Sequence, residues 1–248
     1  MARQQDLENR LNAERLAYLF NKVDQQLEVS GIEEFGPISI IVCGGAAMCY
    51  RIEQRQTVDV DVLFPSLPIA VKKAINVVAE QEGLEEKWMN DSAQVFVAHL
   101  PVTLDWWLYD GKHLRVVSPS NENLLGMKLA ARREASDLED AVWLMEATGL
   151  TKPKQLRALL LKTRRTPDEP NFEPTEEHEK FIEACVTEYQ KQRKQQRKEL
   201  RRASIANDRG SFQLFTPKVC NALNTDGTRC QEPKSRRGRL CAAGHPHP

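Results

Sequence analysis

The chain has 248 residues, with 35 Lys or Arg, 35 Asp or Glu and a formal net charge of zero, and this length allows a sizeable buried core. Its first residues, MARQQDLENRLNAERL, lack the apolar core of a secretory signal. A helix needs about 20 apolar residues to cross a membrane, and no apolar run in the sequence approaches that length. We therefore expect a cytoplasmic protein without membrane contact, whose six cysteines are thiols or metal ligands rather than disulfides.

The first predicted elements are an N-terminal helix over residues 4–29 and a buried strand formed by the apolar run Ile38–Cys43. Gly44 and Gly45 follow directly, and glycines permit a tight turn in which backbone amides closely approach a ligand. Ala46–Glu53 is predicted as a helix. Because a strand, a glycine turn and a helix N-terminus present unpaired N–H groups, we expect a phosphate to bind at Gly44 and Gly45.

A second strand is predicted at Val58–Phe64, with Asp59 and Asp61 on one face and valines on the other. Two residues of strand rise separate the aspartate Cα atoms by about 7 Å. Like charges at this spacing repel each other unless a divalent cation lies between them. The pattern therefore favours a metal site over the alternative, a half-solvated strand whose polar face carries two aspartates.

Two further strands are predicted at Gln94–Leu100 and Val102–Tyr109, and the second carries Asp105 within the apolar run VTLDWWLY. A buried carboxylate is costly unless it is paired or bound to metal. We expect the aspartate-bearing strands to be adjacent, so that Asp59, Asp61 and Asp105 hold two Mg²⁺ ions. One ion would activate the attacking hydroxyl and the other would neutralise the triphosphate and the leaving pyrophosphate. This constellation predicts nucleotidyl transfer.

The next predicted element is one amphipathic helix over Asn121–Ala147. Lys128 lies on it, and a lysine on such a helix usually covers the solvated face. Its spacing to Arg132 and Asp137 favours a functional role instead.

These motifs together resemble the DNA polymerase β nucleotidyltransferase superfamily and, more narrowly, the minimal nucleotidyltransferases of the AbiEii toxin type. The resemblance covers about Ile38–Leu150 and rests on the blocks GGAAMCY, RQTVDVDVLF and LLGMKLAARREASDLEDAVWL. It departs from Gly-Ser members at Gly45, which offers phosphate an amide but no hydroxyl. The resemblance implies an α+β fold with a mixed sheet and flanking helices, and an enzyme that transfers NMP from an NTP, ATP among them, to an acceptor hydroxyl.

The resemblance also assigns roles to single residues. Catalysis and Mg²⁺ binding match Asp59, Asp61 and Asp105. Nucleotide binding matches Gly44, Gly45, Arg55, Thr57, Lys128 and Asp137. Lys128 would contact the triphosphate, and the pair Asp137 and Asp140 would brace the site.

The C-terminal part of the chain is basic, because residues 190–248 carry a net charge of +10. We expect a nucleotidyltransferase-like domain over 1–162, a proline-rich linker over 163–174 and a basic helix over 175–204. In the second half of that helix, Lys and Arg nearly encircle the axis. Such a run is either a solvated charge run or a surface that binds the RNA backbone.

The last predicted element is a zinc knuckle over residues 217–248. Its candidate ligands for tetrahedral Zn²⁺ are Cys220, Cys230, Cys241 and His245. A segment this short and polar has no core of its own, so a structural zinc ion would supply its folding free energy. His247 is an alternative ligand to His245, and a disordered tail with incidental cysteines is the alternative to zinc.

The sequence therefore predicts a Mg²⁺-dependent nucleotidyltransferase with an NTP donor and an RNA acceptor, for which the AbiEii resemblance suggests tRNA. The resemblance raises an antitoxin protein as a partner, and the residues do not decide whether one exists. Two alternatives stay open. One is a catalytically inactive nucleic-acid-binding protein on the same fold, and the other is a small-molecule nucleotidyltransferase that modifies an antibiotic.

Overall fold

The structure is a computed structural model that describes residues 10–30, 36–64, 67–91, 103–164 and 170–210. The helices in these ranges are α1 (Ala13–Val29), α2 (Gly44–Cys49), α3 (Ile69–Glu82), α4 (Asn121–Ala131), α5 (Glu134–Thr148), α6 (Pro153–Arg164) and α7 (Glu176–Gly210). The strands are β1 (Ile38–Cys43), β2 (Val60–Phe64), β3 (Met89–Asn90), β4 (Leu104–Asp110) and β5 (Leu114–Pro119). Among the helices described here, none combines the length and the apolar character needed to cross a bilayer.

The strands form one mixed sheet in the order β3-β2-β1-β5-β4. Strand β1 is antiparallel to β2 and parallel to β5, and β4 is antiparallel to β5. These directions bring the end of β1, the start of β2, the end of β5 and the start of β4 to the same edge of the sheet. The predicted α+β class with a mixed sheet and flanking helices is confirmed at this level.

The sheet is covered on both faces, because successive side chains of β1 point to opposite sides. Ile40 and Val42 belong to a core cluster with α1 and α3. Ile41 and Cys43 belong to a second cluster that includes residues of α4, α5, α6 and the start of α7. The N-terminal helix therefore packs on the domain itself.

Several predicted boundaries shift. The N-terminal helix begins at Ala13, where the side chain of Asn12 accepts a hydrogen bond of 2.8 Å from the backbone N–H of Arg15; residues 1–9 lie outside the described ranges. The second strand begins at Val60, because Val58 is exposed and makes no ladder contact. The predicted strand Gln94–Leu100 lies outside the described residues.

The prediction of a single helix over Asn121–Ala147 is wrong, because the chain turns between α4 and α5. Arg132 ends α4 in the left-handed region, with a φ of 43°, and its N–H donates to the carbonyl of Lys128. Arg133 is extended and precedes α5. The break redirects the second half of the predicted helix, so that residues nine and twelve positions beyond Lys128 fold back onto it.

The chain forms two compact units, 1–191 and 192–248. The predicted linker over 163–174 falls within the first unit, and the predicted domain bounds stay predictions. In the first unit, Phe172 and the α7 residues Ile182 and Cys185 are buried in the core. In the second unit, the α7 side chains described up to Arg202 are all exposed, as the charge around the helix predicts. The predicted zinc knuckle at 217–248 lies outside the described residues.

Candidate nucleotide and metal site

Gly44, at the start of α2, lies directly against the carboxylate of Asp61. Its φ is +63°, and a Cβ atom built there would lie 2.7 Å from Asp61 Oδ2. Cys43 and Asp61 are paired in the β1–β2 ladder, so the register of the two strands fixes this approach. Only glycine allows both the backbone conformation and the contact.

Gly45 makes a similar contact with Thr57. A Cβ atom on Gly45 would overlap the hydroxyl group of Thr57, which donates a hydrogen bond of 3.2 Å to Asp59 Oδ1. The backbone of Thr57 is held in turn by two hydrogen bonds with Leu11. The predicted turn, Thr57 and both aspartates therefore form one packed unit.

The two carboxylates of this unit repel each other. Partial burial raises the pKa of Asp61, and the nearby charge of Asp59 raises it further, while Arg133 and Lys128 act in the opposite direction. Within the described ranges, no group of three or more metal-ligating side chains is assembled. Mg²⁺ in nucleotide enzymes commonly takes one or two carboxylates and completes its shell with phosphate oxygens and water. The pair Asp59 and Asp61 fits that donor set.

The expectation that the aspartate-bearing strands are adjacent is wrong. Strands β1 and β5 lie between β2 and β4, because the parallel pairing of β1 with β5 places β4 outside them. The backbone of Asp105 lies at the same edge of the sheet as Asp61, at an irregularity of β4, but three strand spacings, about 14 Å, separate the two strands. Only the backbone of Asp105 is described, so its role as a third ligand stays a prediction.

Lys128 lies in a buried network of charges. Its Nζ atom is 2.6 Å from Asp137 Oδ1 and 2.7 Å from Asp140 Oδ2. Arg55 donates to both oxygens of Asp140, at 2.9 and 3.1 Å, and the backbone N–H of Arg133 donates to Asp137 Oδ2 at 2.8 Å. Residues from separate sequence blocks thus meet, and the two aspartates hold Arg55 and Lys128 in place.

A pocket of about 650 Å³ opens between the glycine turn and the break that separates α4 from α5. Gly44 and Asp61 line one part of it. The basic side chains that line the rest are Lys128, Arg132, Arg133, Arg164 and His178. Asp61 is the one acidic residue among the described lining residues. A carboxylate and a group of cations therefore line the same cavity, which is of ligand size.

Sequence reasoning did not identify Arg164 of α6 and His178 of α7 as site residues. His178 is buried, its Nδ1 accepts the backbone N–H of Thr175 at 3.1 Å, and its Nε2 lies 2.6 Å from Arg132 Nη1. Burial lowers the pKa of His178, and the charges of Arg132 and Arg164 lower it further. Both residues lie beyond the stretch that carries the resemblance, and nothing in their local sequence signals a site.

No protein-family model, curated protein or solved structure matches the chain. The resemblance to the polymerase β superfamily therefore rests on the sequence motifs, and no match confirms it.

Proposed function

We propose that the chain is a Mg²⁺-dependent nucleotidyltransferase of the polymerase β type. The observation that carries the proposal is the pocket in which Gly44 and Asp61 face Lys128 and three arginines. A Mg·NTP complex needs carboxylate oxygens for its metal and cations for its remaining phosphate charge. This pocket offers both.

The contacts suggest that the basic side chains of the pocket have different roles. Lys128 is bonded to two aspartates, so its main role is to hold the wall in place near the phosphates. Arg133 has a side chain that is 71% exposed and lies 3.7 Å from Asp137, which leaves it mobile enough to close on a ligand. In this proposal the arginines bind the β- and γ-phosphates, because guanidinium groups match phosphate geometry.

Mg²⁺, when bound at Asp59 and Asp61, would neutralise charge on the triphosphate and on the leaving pyrophosphate. The glycine turn lets the nucleotide approach the two carboxylates closely, and the arginines hold it in line. The acceptor oxygen then forms a bond to the α-phosphorus, the bond from that phosphorus to the bridging oxygen breaks, and pyrophosphate leaves. The hydroxyl proton passes to a carboxylate, for which Asp105 remains our candidate. Positioning and charge stabilisation supply most of the catalysis.

RNA is the acceptor class we propose. The described α7 side chains from 190 to 202 are all exposed and mostly basic or amide-bearing, and a basic surface of this kind binds phosphate backbones. The predicted zinc knuckle beyond them would add to the same surface.

The test is transfer of label from each α-labelled NTP to total RNA in the presence of Mg²⁺. Wild-type protein should label RNA, and Asp61→Asn should lose the activity. Asp110→Asn, which changes a surface aspartate paired with Arg115, is the control and should stay active. Binding of Mg·NTP without transfer to any acceptor would favour the inactive nucleic-acid-binding alternative, and absence of both binding and transfer would refute the proposal.

A further inference from the structure

Trp106 lies on β4, the last strand in the order of the described sheet, and 40% of its surface is exposed. The next residue, Trp107, is 64% exposed. Two consecutive exposed tryptophans are unusual on a protein surface and commonly mark a place where something binds.

Arg51 covers one face of the Trp106 indole, with its Cζ atom 4.7 Å from the ring centroid. The guanidinium is held in a fixed orientation, since it donates four hydrogen bonds of 2.7 to 3.0 Å and is only 9% exposed. The acceptors are Ala47 O, Ser118 Oγ, Pro119 O and Asn121 Oδ1. One face of the Trp106 ring is therefore supported by a fixed guanidinium group, while 40% of the residue stays exposed.

Arg51 connects the Trp106 ring to the two helices that carry pocket residues. Ala47 belongs to α2, which begins at Gly44, and Asn121 begins α4, which carries Lys128. Trp106 itself is paired with Ser118 of β5. Strand β4 is two strand spacings, about 10 Å, from β1, whose last residue precedes the glycine turn. A chain that crosses this edge of the sheet can contact Trp106 and the pocket together.

We propose that Trp106 is a stacking platform for an unpaired base of single-stranded nucleic acid. Every base has a π-face, so stacking on an aromatic ring tolerates any sequence, and an arginine beneath the ring strengthens it. Trp107, the next residue of β4, is a second exposed ring, and Arg115 of the neighbouring β5 places its Cζ atom 5.9 Å from the centroid of that ring. The inference deepens the proposed function, on which it rests for the statement that the bound strand is the acceptor.

The experiment measures binding alone, without NTP and with EDTA present, so that it does not depend on catalysis. The probe is a short labelled oligoadenylate, in about 0.3 M salt to weaken phosphate contacts made elsewhere in the chain. Trp106→Ala should raise the Kd about tenfold, as expected for the loss of one stacked base. Trp106→Phe should restore most of the affinity. A strand of equal length with abasic sites should bind wild-type protein as weakly as oligoadenylate binds Trp106→Ala.

The matched control is Tyr18→Ala. Tyr18 is also exposed, at 42%, with Arg15 Cζ at 4.9 Å from its ring, but its hydroxyl and Arg15 both bond to Glu82. Its removal should leave the Kd unchanged. A second readout does not require the alanine variant and so avoids any folding defect that it has. In a Trp107→Phe variant that keeps Trp106, oligoadenylate should quench the tryptophan fluorescence of the protein, and the abasic strand should not.

An unchanged Kd for a folded Trp106→Ala variant, or equal binding of abasic and base-bearing strands by the wild type, would overturn the inference. If binding depends on Trp106 but no NTP supports transfer, the proposed function fails and the stacking site stands. If transfer occurs and Trp106 is dispensable for binding, the stacking site fails and the proposed function stands.

Discussion

Lys128 Nζ lies 2.6 Å from Asp137 Oδ1, and both residues are almost fully buried. The sequence motif suggested that this lysine serves the triphosphate directly. In the folded chain its charge is also matched by Asp137 and by Asp140. The lysine therefore has a structural role, and under the proposed function the arginines of the same pocket are the main phosphate-binding residues.

Lys128→Met should destabilise the fold by about 3–5 kcal/mol, because it leaves two buried carboxylates short of a partner. The free energy of unfolding from urea denaturation measures this. Lys162→Met is the control, since Lys162 forms a surface pair with Glu122 at 2.9 Å that is worth at most about 1 kcal/mol. Equal effects of the two substitutions would show that the buried network does not support the fold.

Gly44→Ala should abolish Mg²⁺-dependent NTP binding, because the added methyl group meets the carboxylate of Asp61. Gly83→Ala is a close control: Gly83 has a φ of +67°, but nothing lies within 4 Å of the position of its Cβ atom. Both variants should lose about 1–2 kcal/mol of stability from the left-handed backbone, and only the first should lose the nucleotide. Isothermal titration with Mg·NTP distinguishes them, and equal binding by both variants would count against the site.

His178 should report an anion in the pocket. Its folded-state pKa lies below the ordinary value of 6.5, so the unfolded chain binds more protons as the pH falls below 6.5. The free energy of unfolding should therefore decrease over that range. Pyrophosphate should raise the pKa of His178 in an NMR titration, because a bound anion offsets Arg132 and Arg164. The backbone amide signal of Gly83, which is not among the residues that line the pocket, is the control and should not shift when pyrophosphate is added. An unshifted His178 titration would place the anion elsewhere.

A chain that ends at Lys191 should fold and bind Mg·NTP but lose most transfer to RNA. The boundary matters, since truncation after Lys162 would remove Ile182 and Cys185 from the core. RNA binding by the full chain should weaken steeply with salt, with a slope that falls by somewhat less than one unit for each lost phosphate contact. Filter binding across a salt series measures this slope. Undiminished transfer to RNA by the shortened chain would show that the basic tail does not bind the acceptor and would point to a regulatory or partner-binding role for it.

Freshly purified protein should contain about one Zn²⁺ per chain, as expected for a single site formed by Cys220, Cys230, Cys241 and His245. Metal analysis of the full chain and of the chain ending at Lys191 provides the comparison, because only the former contains the candidate ligands. Equal zinc content in the two would refute the assignment.

The parts of the site that the sequence predicted are those set by local chemistry. The glycine turn after β1 follows from an apolar run ended by two glycines, and the closeness of Asp59 and Asp61 follows from their separation by one residue at the start of β2. In both places the chain needs only a few neighbouring residues to determine its conformation, so a short sequence window contains the information.

The missed features depend on contacts between distant residues. Apolar positions continue across Arg132, and arginine is not a residue that signals a left-handed turn, so the break between α4 and α5 was not visible. The parallel pairing of β1 with β5 determines that β4 lies far from β2, and no local pattern encodes it. Arg51 under Trp106 joins positions 55 residues apart and became apparent only in three dimensions.

The burial of Cys43, Cys49 and Cys185 has a practical consequence for thiol chemistry. Burial raises the pKa of Cys49 to about 11 and that of Cys185 to about 12, and it raises the pKa of Cys43 as well. At neutral pH these thiols are protonated and shielded, and a protonated thiol is a poor nucleophile. A maleimide or disulfide reagent applied to native protein should therefore leave these three thiols unmodified, so that any label on the chain arises from Cys220, Cys230 or Cys241.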